Sequence, residues 1–236
     1  MDEARKTNAI RGPEFNRTMF AGDTIDIGCG PDLVVPHAVP FDLVHGDAQF
    51  ISRYFPAESF DTVHSSHCLE HMRDVEGALA EWWSLVRPGG HLVIVVPEED
   101  LYEQGGWPSL FNDDHKATFR LNRPTRWSSV SYDLGALVAA LPDVASVDAR
   151  LQDDGYDRGL MLGQMTGWNR FLYRAGKRRR GTFRRWIRMG LPLTGLDLAL
   201  DRLEWRMGKP VDQTGGPALA QIQAVVRKRP RPLSGG

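Results

Sequence analysis

Cysteine is nearly absent. Cys29 and Cys68 are the only two in 236 residues, so a disulfide framework is excluded and a reducing compartment is the simple reading. No apolar run reaches the length of about 18 residues that a membrane-spanning helix needs. The opening "MDEARKTNAIRGPEFNRTM" has no apolar stretch behind its charges, so a secretory signal is not expected and we read the protein as cytoplasmic. No internal repeat is visible. Acidic residues are missing altogether between Arg158 and Leu196, where ten basic residues stand. Residues 1–157 are the reverse, with 12 Lys and Arg against 26 Asp and Glu, so the net charge of −1 hides a strong segregation. A block of one sign this long draws anionic partners by its field.

What is present is an ordinary globular composition, 42% hydrophobic and 25% charged, enough for one full core. "TIDIG" (24–28) predicts a first strand that stops at glycine, with "FDLVHGD" (41–47) and "FDTVHSS" (60–66) as the next two. "GALAEWWSLV" (77–86) has apolar residues at helical spacing and ends in the turn "RPGG". "HLVIVVP" (91–97) is apolar without alternation, as in a strand buried on both faces. Strand, helix, turn, buried strand is a βαβ unit, which implies a parallel sheet. Residues 98–129 predict a long polar and aromatic loop, 131–141 a helix, and 145–152 and 218–229 two further strands.

Two stretches carry chemistry. "IDIGCGPD" (25–32) is a strand ending in G-x-G, which lets backbone approach a ligand beyond the carboxyl end of a parallel sheet. "SSHCLEHM" (65–72) contains H-x-x-E-H at 67–71, the spacing of inverted zinc peptidases, in which two histidines share one helical face. Here, however, the stretch follows directly on a strand, so we expect no metal site. A zinc hydrolase using 67–71 stands as an alternative.

In order along the chain, "IDIGCGPD", "GDAQ" (46–49), "SFDTVHSSHCLEHM" (59–72) and "LVRPGGHLVIVVP" (85–97) resemble the class I S-adenosylmethionine-dependent methyltransferases of the small "type 11" kind. The resemblance implies an α/β, Rossmann-like, mostly parallel sheet and S-adenosylmethionine as cofactor, released as S-adenosylhomocysteine. It implies cofactor contacts from Asp26, Gly28, Cys29 and Gly30 in the first motif. Asp47, Ala48 and Gln49 would sit at the adenine, and Ser65, Ser66 and His67 beside the sulfonium. Two departures matter. Asp32 stands where the family has its third glycine, and only 16 residues separate Asp26 from Asp42, too few for the usual crossover helices. The N-terminal half is therefore shortened, and Asp42 is favoured as the acid at the ribose.

Methyl transfer to oxygen calls for a base near the acceptor, and histidine suits that work. His67 and His115 are the candidates, with Asp114 beside His115. Trp107 and Phe111 would wall an acceptor pocket, and Lys116 would hold an anionic group of a small acceptor such as a sugar or secondary metabolite. Residues 1–152 and 218–230 are expected to form the core, 153–217 a basic helical insertion or cap before the last strand, and 231–236 a disordered tail. Aromatics interleave the basic residues of 168–190, the pattern of a helix lying on an anionic membrane such as the inner membrane face. An RNA methyltransferase or RNA-binding protein using 158–188 is the rival reading; no RNA-binding module is visible, and we rank nucleic acid below a small anionic acceptor or a lipid surface.

Overall fold

The computed structural model describes residues 3–124, 126–161 and 212–232. The chain divides into two compact units, Met1–Tyr156 with Gln213–Gly236, and Asp157–Asp212. The second unit has one described 3₁₀ turn, Arg158–Leu160. Residues 162–211 of the expected insertion at 153–217, with its membrane face at 168–190 and most of the RNA reading at 158–188, lie outside the described residues, as do 233–236 of the tail. No helix among the described residues is long and apolar enough to cross a membrane.

The first unit is built on a six-stranded sheet. Its strands are β1 (Thr24–Ile27), β2 (Val39–Phe41), β3 (Phe60–Ser66), β4 (Val86–Pro97), β7 (Val144–Gln152) and β8 (Gln221–Lys228), in the order β2-β1-β3-β4-β8-β7. β1 pairs in parallel with β2 and β3, and β3 with β4. β8 runs antiparallel between β4 and β7. β5 (Thr118–Arg120) and β6 (Ser131–Asp133) form a separate parallel pair.

Helix α2 (Val75–Ser84) starts where Asp74 accepts from the Gly77 N–H, a cap of roughly 0.5–2 kcal/mol. It buries Val75, Ala78, Leu79, Trp82 and Trp83 in the main core. Both indoles also find acceptors: Trp82 Nε1 donates to the Ala48 carbonyl and Trp83 Nε1 to that of Pro142, each at 2.8 Å, as buried indoles require.

Several expectations shift. The second strand is Val39–Phe41, not 41–47: the Asp42 carboxylate accepts from the Leu43 N–H at 2.6 Å and turns the chain there. "RPGG" is not a turn between helix and strand, since α2 ends at Ser84. β4 already starts at Val86, and residues 87–90 bulge from it, since Phe60 and Thr62 face Val86 and His91. The helix expected at 131–141 is α3 (Leu134–Ala139), preceded by β6, with Asp133 as its cap. The sequence reading had missed α1 (Glu3–Met19), which breaks at Gly12 with φ of 76°. No helix joins β1 to β2, and only a 3₁₀ segment, Ala48–Arg53, stands between β2 and β3. The shortened N-terminal half is thus two crossovers made almost without helix.

Candidate active site

The carboxyl ends of β1, β2 and β3 meet at a cavity of about 580 Å³, within the range of small-ligand sites. Gly28 follows β1 with φ of 74°, and its N–H donates to the Phe41 carbonyl at 2.7 Å. A Cβ there would lie 2.6 Å from that of Cys68, so glycine lets this loop and the His67 loop touch. Gly30, with φ of 54°, has open space where a Cβ would project. Its N–H donates to Asp42 Oδ2 at 2.7 Å, which ties the glycine loop to the end of β2. Each Asp42 oxygen holds one backbone donor, and a carboxylate has room for more. Asp47 accepts from the Gln49 N–H at 2.9 Å.

Of the expected site residues, Gly28, Asp42, Asp47, Ala48, Gln49, His67, Asp114 and Lys116 line this cavity. Asp26, Cys29, Gly30, Ser65, Ser66, Trp107, Phe111 and His115 are not on its wall. Asp26 is buried, with Oδ1 2.6 Å from His64 Nδ1 and Oδ2 accepting from the Val34 N–H at 2.7 Å. It orders the glycine loop from behind instead of reaching a ligand. Arg11 meets the other His64 nitrogen at 3.3 Å. Burial holds the His64 ring below the ordinary histidine range, against the pull of Asp26. Ser65 is fully buried within β3, between Ile27 and Ile94, because the strand continues past the point where the site was expected to begin. Gln49 reaches the wall, but its amide is committed to Asp74 O and to the Arg73 and Asp74 N–H groups.

The histidine stretch forms one 3₁₀ turn, Leu69–His71, not the start of a long helix. His67 takes a left-handed φ of 53°. Its Nε2 lies 3.0 Å from Gln221 Oε1 on β8, and its Nδ1 3.5 Å from Glu70 Oε1. Gln221 uses its amide nitrogen on Thr7 and Gln152, so its oxygen accepts and His67 Nε2 donates. Both ring nitrogens of His67 therefore face protein acceptors, which argues against its use as a base. His115 is no loop-surface residue. It is buried, with Nδ1 2.7 Å from Glu103 Oε1. Trp107 and Phe111 lie away from the wall, Phe111 packing edge-on against Tyr102.

His71, singled out in the sequence only within the H-x-x-E-H zinc alternative, belongs to this site. It lines the cavity, its Nδ1 is 2.9 Å from Asp114 Oδ2, and its Nε2 is 4.0 Å from Glu70 Oε1. Glu70 is 1% exposed, and its oxygens accept no close hydrogen bond, His67 Nδ1 at 3.5 Å being the nearest imidazole nitrogen. Burial pushes its carboxyl up, but the imidazoles around it, His67 first, pull it down further, and the net lies below the ordinary range. The signal for His71 was the H-x-x-E-H spacing itself. No local pattern marks Glu103, which lies in a short π-helical turn, Glu99–Glu103.

Residues 25–94 match the family described as "Methyltransferase domain". No curated protein matches the chain. Among solved structures it is similar to a SAM-dependent methyltransferase from Archaeoglobus fulgidus, at 12% identity and TM-score 0.49 over 96% of this chain and 95% of that one. It is similar to the YcgJ protein of Bacillus subtilis at 16% identity and TM-score 0.44, over 89% and 93%. It is also similar to a phosphoethanolamine N-methyltransferase of Haemonchus contortus at 12% identity and TM-score 0.45. That match covers 93% of this chain but spans about half of the other, 53%. The glycine loop, Asp42, Asp47 and most of the parallel half-sheet fall inside the family-matched segment, so the site is built from the part of the chain that is similar to a methyltransferase domain.

Proposed function

We propose that the protein transfers a methyl group from S-adenosylmethionine to a hydroxyl of a small, anionic molecule. One observation carries the reading: Gly28, Asp42 and Asp47 line the same cavity as His71, Asp114 and Lys116. The first three suit the cofactor. Gly28 allows close backbone approach, Asp42 has acceptor capacity for ribose hydroxyls, and Asp47 for the adenine amine. When bound, the cofactor supplies a methyl group on a positively charged sulfur, so holding the acceptor oxygen in line supplies much of the rate. The second group forms the acceptor side. Lys116 Nζ stands 3.0 Å from Asp114 Oδ1, an exposed pair that an anionic substituent would partly take over.

Calorimetry with S-adenosylmethionine and S-adenosylhomocysteine tests the cofactor half. Binding that Asp42→Asn and Asp47→Asn each weaken supports it; wild-type affinity in both variants would refute the assignment of these acids. A panel of hydroxylated acids and amines of matched size, with radiolabelled cofactor, tests the acceptor half. Methylation confined to amines in that panel would overturn it.

A further inference from the structure

We propose that Glu70, His71 and His115 bind one divalent first-row transition-metal ion at the wall of the cavity. The three side chains come from two distant parts of the chain, the turn after β3 and the loop before β5, yet their ligand atoms all lie within 4.8 Å of one another. Nε2 of His71 and Nε2 of His115 are each 4.0 Å from Glu70 Oε1. These separations are too long for hydrogen bonds. A point equidistant from three atoms so spaced lies about 2.4 Å from each, a few tenths of an ångström beyond a zinc–imidazole bond of about 2.0–2.1 Å.

Three further observations point to a cation. Glu70 is a buried carboxylate that accepts no well-formed hydrogen bond, its nearest donor being His67 Nδ1 at 3.5 Å, and groups so placed are rare without an ion or a closer partner. Each histidine has a carboxylate on its other nitrogen, Glu103 on His115 at 2.7 Å and Asp114 on His71 at 2.9 Å. That arrangement sets the proton on Nδ1 and leaves the Nε2 lone pair free for a metal, as carboxylate–histidine–metal triads do. The ligand set is two imidazoles and one carboxylate. It favours zinc, iron, cobalt, nickel or manganese over magnesium, and it leaves coordination positions open. His71 lies on the cavity wall with its side chain 25% exposed, so the open side faces the acceptor.

The metal set differs from the H-x-x-E-H pair. His67 is turned to Gln221 and is replaced by His115. The use of the ion rests on the methyl-transfer reading; its binding does not. With the acceptor oxygen at the open position, its proton leaves to solvent and an oxygen lone pair forms the bond to the methyl carbon. The carbon–sulfur pair returns to sulfur, giving neutral S-adenosylhomocysteine.

The test is a titration of the chelator-treated full chain with cobalt(II) chloride, read by its visible absorption, with zinc competing and magnesium as control. We expect one equivalent bound, with d–d bands but no thiolate charge-transfer band, displaced by zinc and not by magnesium. Glu70→Gln and His71→Ala should weaken binding at least ~100-fold, and Glu103→Gln and Asp114→Asn about 10–100-fold, the usual range for outer-shell partners. His67→Ala removes only a neighbour of Glu70, so it should weaken cobalt binding no more than the outer-shell variants do and far less than His71→Ala. Absence of stoichiometric cobalt, or affinity unmoved by His71→Ala, overturns the site. Loss in His67→Ala but not in His115→Ala restores the H-x-x-E-H pair and overturns this ligand set. His71 is partly exposed, so its variant keeps the test open if the buried ones fail to fold. Cofactor calorimetry on the same metal-free and cobalt-loaded protein reads the methyltransferase assignment separately, since a chain that binds S-adenosylhomocysteine but no cobalt refutes only the metal.

Discussion

Replacing Gly28 by alanine isolates the contact that joins the glycine loop to the histidine loop. Two costs arise, and the structure separates them. Gly28 sits at φ of 74°, where an L-residue pays roughly 1–2 kcal/mol. The new Cβ would also stand 2.6 Å from Cys68 Cβ and 2.7 Å from its Sγ, an overlap that core overpacking data put at about 1–3 kcal/mol. The expected loss is about 2–5 kcal/mol, and at about 2–4 °C per kcal/mol for a chain of this size melting should fall by on the order of 5–15 °C. Gly30→Ala is the control. Its φ is also positive but nothing lies within 4 Å of its Cβ, so only the backbone share of roughly 1–2 kcal/mol applies. The assay is urea unfolding of Gly28→Ala, Cys68→Gly and the double variant. Removing the Cys68 side chain should return the overlap share as a favourable coupling of about 1–3 kcal/mol while the backbone share persists. A Gly28→Ala protein as stable as wild type, or a cycle with no coupling, would refute the reasoning.

Three other outcomes are expected. His64 is held neutral by burial, so its folded value lies below the unfolded one near 6.5. Its contribution is complete above pH 6.5 and is lost as pH falls beneath it; urea midpoints should drop between pH 7.5 and 5.5, and less steeply in His64→Asn. Burial pushes the Cys68 thiol far up, so Ellman's reagent at pH 8 should titrate at most Cys29 in the native protein and both thiols in denaturant. Gln49→Ala removes three hydrogen bonds to the Arg73–Asp74 segment, and at about 1 kcal/mol each it should lower stability by roughly 1–3 kcal/mol; an unchanged urea midpoint would show that the clamp does not hold the wall.

What the sequence disclosed was local. β4 contains the buried apolar run Leu92–Val96, which carries its own signature. β1 and β3 mix apolar residues with buried Thr24, Asp26, Thr62, His64 and Ser65, and were marked by β-branched residues beside a turn signal. The Gly28 turn and the acids after β2 follow from motif spacing within some 25 residues. The second strand was misplaced because "FDLV" looks extended by composition, while the His45 and Gly46 N–H groups donate to the Asp42 carbonyl and the Leu43 N–H to its carboxylate, which turns the chain there. α1 escaped notice because Gly12 and Pro13 interrupt any helical period. The site's second half was hidden for a different reason. His67 meets Gln221 154 positions away, and His71 meets Asp114 43 positions away. Partners so remote leave no spacing to read, and a histidine's role depends on which partner holds it.

The antiparallel strand β8 has a consequence for synthesis. Among the described residues β7 pairs only with β8, and β4 borders β8 on its far side. A nascent chain that has emerged through β7 therefore presents β4 as an open edge and β7 without a neighbour. Gln221, the first residue of β8, is also the one that grips His67. The ribosome must thus deliver the chain through β8 before the sheet and the His67 side of the cavity close together. Loss of the last strand would leave an exposed edge where aggregation begins.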